Sequence, residues 1–185
     1  MEEKFTYWYW DNVLNQDQIK QINLICEKYY DSLYEDVPAE NVVKTADVKI
    51  IKWKFLKPVI QDVDDNWRDR NQFSFGFNLF QSTNIDLWNI NTYDSKNDGE
   101  YDFHYDVTKD HVSDIKLTGI VNISDEPYEG GEFIAFYDGK FAEIPEIKNP
   151  GSSILLKHGI LHKVNPVTKG IRKTLSYWFQ GPKFI

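Results

Sequence analysis

The sequence predicts a mainly β fold of the α+β class, in which N-terminal helices pack on one sheet of a two-sheet jelly roll or barrel. From residue 73 onward, β-branched and aromatic segments alternate with turns rich in Gly, Asn and Asp. Two segments with a helical period precede that change, and a content of 41% hydrophobic and 16% aromatic residues is enough for one good core. About eight strands are predicted, at 73–80, 85–93, 100–106, 115–123, 131–137, 141–144, 153–156 and 172–179.

The two predicted helices lie in the N-terminal part of the sequence. An aromatic run at 5–10 is expected to form a strand or an arm docked on the core. A helix is then expected with Asn15 as its N-cap and Gln18 at the capping-box position, because apolar residues follow at helical spacing. After a polar loop at 36–47 and a short strand at 48–53, a second helix is predicted over 57–70 with Pro58 in its first turn.

The length of 185 residues favours a single domain over 1–185, with a helical support region at 1–72 and the strand core at 73–182. The net charge is -8 and no cluster of Lys and Arg stands out, which counts against a nucleic-acid partner. The one cysteine, Cys26, cannot form an internal disulfide and is expected to be buried. The absence of a long apolar run or a signal-peptide pattern predicts a cytoplasmic protein without a membrane partner.

A candidate metal site begins in the segment 101–106, with the sequence YDFHYD. If this segment is a strand, its alternation places His104 and Asp106 on one face, about 7 Å apart along the chain. A His-x-Asp pair also occurs by chance as a solvated surface pair, so a third ligand is needed. The remaining histidines, His111, His158 and His162, are the candidates.

The segment 161–172 favours His162 as the third ligand. Its Asn-Pro and Lys-Gly pairs predict a hairpin centred near Val167, in which His162 lies opposite Arg172 on one face. A buried arginine is costly unless it meets an anion, and its planar guanidinium matches a carboxylate. We therefore expect a small dicarboxylic molecule beside Arg172, although a polar strand histidine and a surface arginine are the alternative.

Two histidines and one carboxylate leave three open positions on an octahedral metal, which is the facial triad of non-haem Fe(II) oxygenases. His104-x-Asp106, His162 and Arg172 ten residues later resemble the Fe(II)- and 2-oxoglutarate-dependent dioxygenases, in particular the prolyl 4-hydroxylase-like and PKHD-type branch. The segment 129–133, with the sequence EGGEF, is also similar to that branch. The resemblance covers about residues 85–182.

The resemblance implies a double-stranded β-helix core and a role for each matching residue. His104, Asp106 and His162 would hold Fe(II), and Arg172 would bind the far carboxylate of 2-oxoglutarate. Tyr93 matches a tyrosine that binds the same carboxylate, although a packed strand aromatic is an equal alternative. O₂ is the second cosubstrate, and ascorbate is a candidate reductant. In many prolyl 4-hydroxylases a lysine binds the carboxylate, and Lys173 is adjacent to Arg172 here.

The resemblance favours hydroxylation of a prolyl residue in a peptide or protein, with release of succinate and CO₂. The same chemistry on another amino-acid side chain, a small molecule or a nucleobase stays open. A jelly-roll module that binds without catalysis is the alternative of another class. Trp178 and Tyr101 are candidates for the cavity wall, and the loops 38–45, 95–99 and 108–114 are candidate lids.

Overall fold

The N-terminal helix follows its sequence signals. The computed structural model describes residues 5–31, 42–106 and 113–184. Helix α1 spans Gln16–Tyr29, and a capping box is present, with the Gln18 N–H donating to Asn15 Oδ1 at 2.9 Å and the Asn15 N–H donating to Gln18 Oε1 at 3.0 Å. Cys26 lies on its buried face, where burial raises the pKa of the thiol to about 12. The predicted N-cap is therefore confirmed, and the cysteine is an unreactive core residue.

The second helix differs from the prediction. Helix α2 spans Trp53–Arg70, so it begins four residues before the predicted start and Pro58 lies inside it. The backbone of Ile60 leaves the helical region (φ -119°, ψ 15°), and the helix is kinked there. A proline two residues earlier explains the kink, because it removes one helical hydrogen bond and crowds the preceding turn. None of the helices in the described ranges is both long and apolar enough to cross a membrane.

The predicted strand at 73–80 is wrong. Asn71–Phe75 form a π-helical turn that ends at Gly76, whose φ is +72°. The Asn71 side chain then holds the backbone of Phe77, donating from Nδ2 to its carbonyl at 2.8 Å and accepting its N–H at 3.0 Å. These bonds satisfy the backbone without a partner strand, while Phe75 and Phe77 pack on the core and Phe73 is exposed.

The described residues form twelve strands arranged in three antiparallel sheets. In chain order the strands are β1 Tyr7–Trp10, β2 Asp47–Lys52, β3 Leu87–Asp94, β4 Tyr101–His104, β5 Ser113–Asn122, β6 Glu129–Gly130, β7 Phe133–Tyr137, β8 Lys140–Glu143, β9 Ser153–Lys157, β10 His162–Val164, β11 Val167–Lys169 and β12 Ile171–Pro182. The six-stranded sheet has the order β1-β9-β5-β12-β3-β2, and the four-stranded sheet has the order β4-β10-β7-β8. Strands β11 and β6 pair separately.

The six-stranded sheet is packed on both faces. Its outer face lies against α1 and α2 in a core that includes Trp67 and Trp88, whose rings stack at 5.6 Å. Its inner face shares a second core with the four-stranded sheet, where Phe133 and Val164 meet Ile154. The mainly β fold with N-terminal helices on one sheet is confirmed. The N-terminal part, expected to be helical support, also supplies β1 and β2 to that sheet.

The contact between α2 and the sheet depends on Gly119, and its replacement is a test of this packing. An alanine Cβ there would lie 2.5 Å from the Trp67 ring, which is fully buried. Because the ring cannot move without disturbing the core, we expect Gly119→Ala to destabilise the fold by about 2 kcal/mol in urea unfolding. The control is Gly119→Ala in a Trp67→Phe background, where the alanine should cost less because phenylalanine lacks the outer ring of the tryptophan that the added Cβ would meet. An equal cost of the alanine in the two backgrounds would contradict the packing described.

Candidate active site

A pocket lies between the two large sheets. Its volume is about 550 Å³ when the space open to solvent is included. The four-stranded sheet contributes His104 and His162 to its wall, and β12 contributes Arg172 and Trp178. Strands β3 and β5 add polar side chains to the same cavity. The pocket is therefore the place where the sequence-predicted site residues meet.

His104, Asp106 and His162 form a cluster that can hold a metal ion. One ligand atom from each residue lies within 4.8 Å of the others, and the three side chains are at most 12% exposed. The His104 Nε2 is 3.9 Å from Asp106 Oδ1, and the His162 Nε2 is 3.8 Å from Asp106 Oδ2. The donor set of two imidazoles and one carboxylate is the one that non-haem Fe(II) sites use.

Both imidazoles are oriented so that Nε2 faces the cluster. His104 Nδ1 lies 2.7 Å from the carbonyl oxygen of Asp102, and His162 Nδ1 lies 2.8 Å from that of Ile160. Because a carbonyl only accepts, each Nδ1 donates a hydrogen bond, and Nε2 is the ring nitrogen that faces the cluster as a possible metal ligand. Burial and, to a smaller extent, the nearby His162 lower the pKa of His104 to about 4, so this ring is neutral at pH 7.

The structure brings His162 and Arg172 together by a different route from the predicted hairpin, which is wrong. His162 lies in the four-stranded sheet, opposite His104 on β4 and Ala135 on β7. Arg172 lies in the six-stranded sheet, opposite Tyr93. The intervening strand β11 pairs with β6 instead of turning the chain back on itself. The two side chains therefore enter one pocket from facing sheets, and the proximity was predicted for an incorrect reason.

Asp106 lies outside the strand in which it was predicted, because β4 ends at His104. Its carboxylate is held from the opposite sheet, where the hydroxyl of Thr118 on β5 donates to Asp106 Oδ2 at 2.6 Å. This bond orients the carboxylate and occupies one of its oxygens. Thr118 was missed by the sequence analysis, since it lies twelve residues from Asp106 in a strand with no motif.

Arg172 is the buried cation of the pocket. It is 1% exposed, and its Nε and Nη2 atoms have no hydrogen-bond partner anywhere in the described part of the chain. Its guanidinium carbon lies 5.3 Å from the ring centre of Tyr93, which is 4% exposed and lines the pocket. Gly131 packs on the arginine stem, where an added Cβ would lie 2.9 Å from Arg172 Cδ. Buried donors without acceptors fit an anionic ligand such as a carboxylate.

The structure also shows where two of the other candidate site residues lie. Lys173 points away from the pocket and binds Asp125 at 3.0 Å and Asn23 at 3.1 Å, so it does not replace Arg172. His158 stacks on Phe184 at 4.4 Å and lies outside the triad. His111 lies outside the described residues.

Two aromatic residues form part of the pocket wall, as predicted. Tyr101 lies flat on the His104 ring, with the ring centres 3.4 Å apart, and Trp178 lines the cavity. Two backbone hydrogen bonds hold the candidate lid 95–99 in place. The Val167 N–H donates to the carbonyl of Gly99, and the Ser95 N–H donates to the carbonyl of Gly170. Of the other two candidate lids, 38–45 and 108–114, residues 38–41 and 108–112 lie outside the described residues.

A polar row on the inner face of the six-stranded sheet was missed. Asn89, Asn91 and Tyr93 alternate along β3, and Arg172, Thr174 and Ser176 alternate along β12 opposite them. The signal was present, because polar side chains at every second position of two apolar strands predict a buried face that binds a polar ligand.

The bond from Thr118 to Asp106 leads to a testable expectation. Thr118→Val keeps the shape and removes the hydroxyl, so the carboxylate is no longer oriented. We expect Fe(II) affinity to fall about tenfold, the lower end for outer-shell partners of metal ligands, and Thr118→Ser to restore it. Anaerobic competition with a fluorescent chelator measures both variants. Wild-type affinity in Thr118→Val would show that the bond does not orient the ligand.

Comparisons with known proteins identify the family. The profile described as the 2OG-Fe(II) oxygenase superfamily matches residues 88–180. A PKHD-type hydroxylase of Xylella fastidiosa (strain M12) is 39% identical over an alignment of 95 residues that covers 44% of this chain. A second PKHD-type hydroxylase, from strain M23, is 38% identical over the same length. The chain spans about 40% of the length of these curated relatives.

Solved structures show the same fold. A prolyl-4-hydroxylase of Pseudomonas putida superposes with a TM-score of 0.68 at 16% identity, over 97% of this chain and 95% of that one. The viral collagen prolyl hydroxylase of Paramecium Bursaria Chlorella virus-1, in its 2OG complex, gives 0.67 at 18% identity over 96% and 97%. A prolyl hydroxylase from Trichoplax adhaerens, in complex with a hypoxia inducible factor peptide fragment, gives 0.67 at 15% identity over 95% and 84%. These likenesses agree with the branch that the motifs indicated, and the chain belongs to the 2OG-Fe(II) oxygenase superfamily.

Proposed function

We propose that this protein is an Fe(II)- and 2-oxoglutarate-dependent hydroxylase of a prolyl residue in a peptide or protein. In this proposal His104, Asp106 and His162 hold Fe(II), while Arg172 and Tyr93 bind the far carboxylate of 2-oxoglutarate. The observation that carries it is one pocket in which three ligand atoms converge within 4.8 Å beside a buried arginine with unpaired donors. We also propose that 1–185 act as one dioxygenase domain, since α1 and α2 pack directly on the sheet that carries Arg172.

When bound, Fe(II), 2-oxoglutarate and O₂ supply the oxidation, in which a substrate C–H becomes C–OH and 2-oxoglutarate becomes succinate and CO₂. The protein residues orient these partners. The carbonyls of Asp102 and Ile160 hold both imidazoles with Nε2 toward the metal position, and Thr118 holds the carboxylate. Arg172 fixes the orientation of the cosubstrate through a charge-assisted, bidentate contact. The two stacked sheets keep water from the pocket floor.

The prolyl substrate is supported by the solved structures of similar fold. The three structural neighbours described above are prolyl hydroxylases, and one of them holds a peptide. A net charge of -8 disfavours a nucleic-acid substrate. Another amino-acid side chain or a small molecule is the alternative for the same chemistry. A binding module without turnover is the alternative of another class, and it predicts no metal complex.

The test begins with an anaerobic titration of the protein with Fe(II) and 2-oxoglutarate. We expect a weak metal-to-ligand absorption band that requires both components, and its absence in the intact protein would reject the enzyme proposal. With O₂ and ascorbate as reductant, proline-containing peptides should gain one oxygen by mass spectrometry. Succinate formation without any oxidised peptide would count against the prolyl substrate alone.

A further inference from the structure

The polar side chains on the inner face of the six-stranded sheet divide into two groups. The first group bonds within the protein: Asn91 Nδ2 donates to Ser176 Oγ at 3.0 Å, and Thr118 donates to Asp106. The second group is Arg172, Trp178 and Asn89. Trp178 Nε1 is buried and has no acceptor among the described residues, and Asn89, which is 4% exposed, lines the same pocket.

The three residues of the second group lie in two separate parts of the pocket, with Arg172 in one part and Asn89 and Trp178 in the other. Arg172 is paired with Tyr93, whereas Asn89 is paired with Ser176, four residues or about 13 Å farther along the sheet. Trp178 lies on the same face two residues beyond Ser176, opposite Thr118 on β5. Extended 2-oxoglutarate spans only about 5 Å between its terminal carbons, given C–C bonds of about 1.5 Å. Its binding at Arg172 therefore leaves Asn89 and Trp178 for a second molecule.

The chemistry of these two side chains defines what that molecule carries. An asparagine amide offers donors and an acceptor together, which matches another amide group, and an indole N–H requires an acceptor such as a carbonyl oxygen. Neither side chain carries a charge. A peptide brings neutral amides that match these two side chains, whereas a free amino acid brings charged termini.

We propose that Asn89 is a specificity-determining residue that binds a backbone amide of the substrate, with Trp178 Nε1 donating to a neighbouring carbonyl. The substrate class is then a residue within a peptide chain and not a free amino acid. This inference rests on the proposed function, since it assigns the second half of the same pocket. Asn89 lies at a position that no sequence motif marks.

The test uses the protein with Mn(II) and 2-oxoglutarate, which permits binding without turnover. The probes are an N-acetylated, C-amidated nonapeptide with a central proline among alanines, and free L-proline. We expect calorimetry to show that the peptide binds at least tenfold more tightly than proline. Asn89→Leu should weaken peptide binding at least tenfold, and Trp178→Phe, which keeps an aromatic ring but removes the N–H, at least threefold.

The control is Asn84→Leu, the same change at an exposed residue of the preceding turn, which should bind the peptide as the wild type does. Unfolding curves check that each variant folds. Equal peptide affinity in Asn89→Leu and wild type overturns the inference, as does a wild type that prefers free proline or binds no peptide. A wild type without the iron and 2-oxoglutarate absorption band overturns the proposed function itself.

Discussion

Replacing Arg172 with leucine is expected to reduce the affinity for 2-oxoglutarate at least 100-fold, which corresponds to about 2.7 kcal/mol. The guanidinium is 1% exposed and carries two donors without partners, so a carboxylate placed there gains strong hydrogen bonds at little cost in reorganisation. Leucine removes the charge and both donors. The measurement is the midpoint of the anaerobic absorption titration with 2-oxoglutarate at saturating Fe(II).

Thermal unfolding supplies a second readout for the same variant. Saturating 2-oxoglutarate should raise the melting temperature of the wild type, because a ligand at 100 times its dissociation constant stabilises by about 2.7 kcal/mol. It should leave Arg172→Leu unchanged. Without ligand, the variant should be at least as stable as the wild type, since an unpaired buried charge has been removed. Arg172→Lys is the matched control that keeps the charge and loses the planar pair of donors. Undiminished cosubstrate binding in Arg172→Leu would place the carboxylate elsewhere.

Replacing His162 with alanine is expected to abolish the metal complex. Three ligand atoms meet at this cluster, and outer-shell changes alone usually cost 10–100-fold in metal affinity, so loss of a direct ligand should cost at least about 100-fold. The absorption band with Fe(II) and 2-oxoglutarate should disappear, and hydroxylation should disappear with it. Anaerobic chelator competition measures the affinity directly.

His158→Ala is the matched control for that experiment. His158 stacks on Phe184 outside the triad, so its removal should leave Fe(II) affinity within about twofold. If both histidine variants lost the metal equally, the loss would reflect unfolding and not ligation. If neither lost it, the assignment of His162 would be wrong.

Local patterns predicted the elements whose stability is local. The capping box at Asn15 and Gln18 marks the start of α1 correctly, because side chains three residues apart satisfy the free N–H groups there. The same reasoning failed at 73–80, where aromatic residues suggested a strand. The bonds from Asn71 to Phe77 and the left-handed Gly76 close that segment on itself, so that Phe75 and Phe77 pack on the core without a strand.

The sequence alone indicated the candidate ligands, because the pattern of His104, Asp106, His162 and Arg172 resembles that of one family of oxygenases. Only the tertiary structure decided how they meet: β10 and β12 lie in facing sheets, and Arg172 enters the pocket across from His162 and not beside it. The role of Thr118 could not be predicted from the sequence for the same physical reason. A strand's side chains acquire partners from other strands, and the register that brings Thr118 to Asp106 is set by packing across the whole sheet.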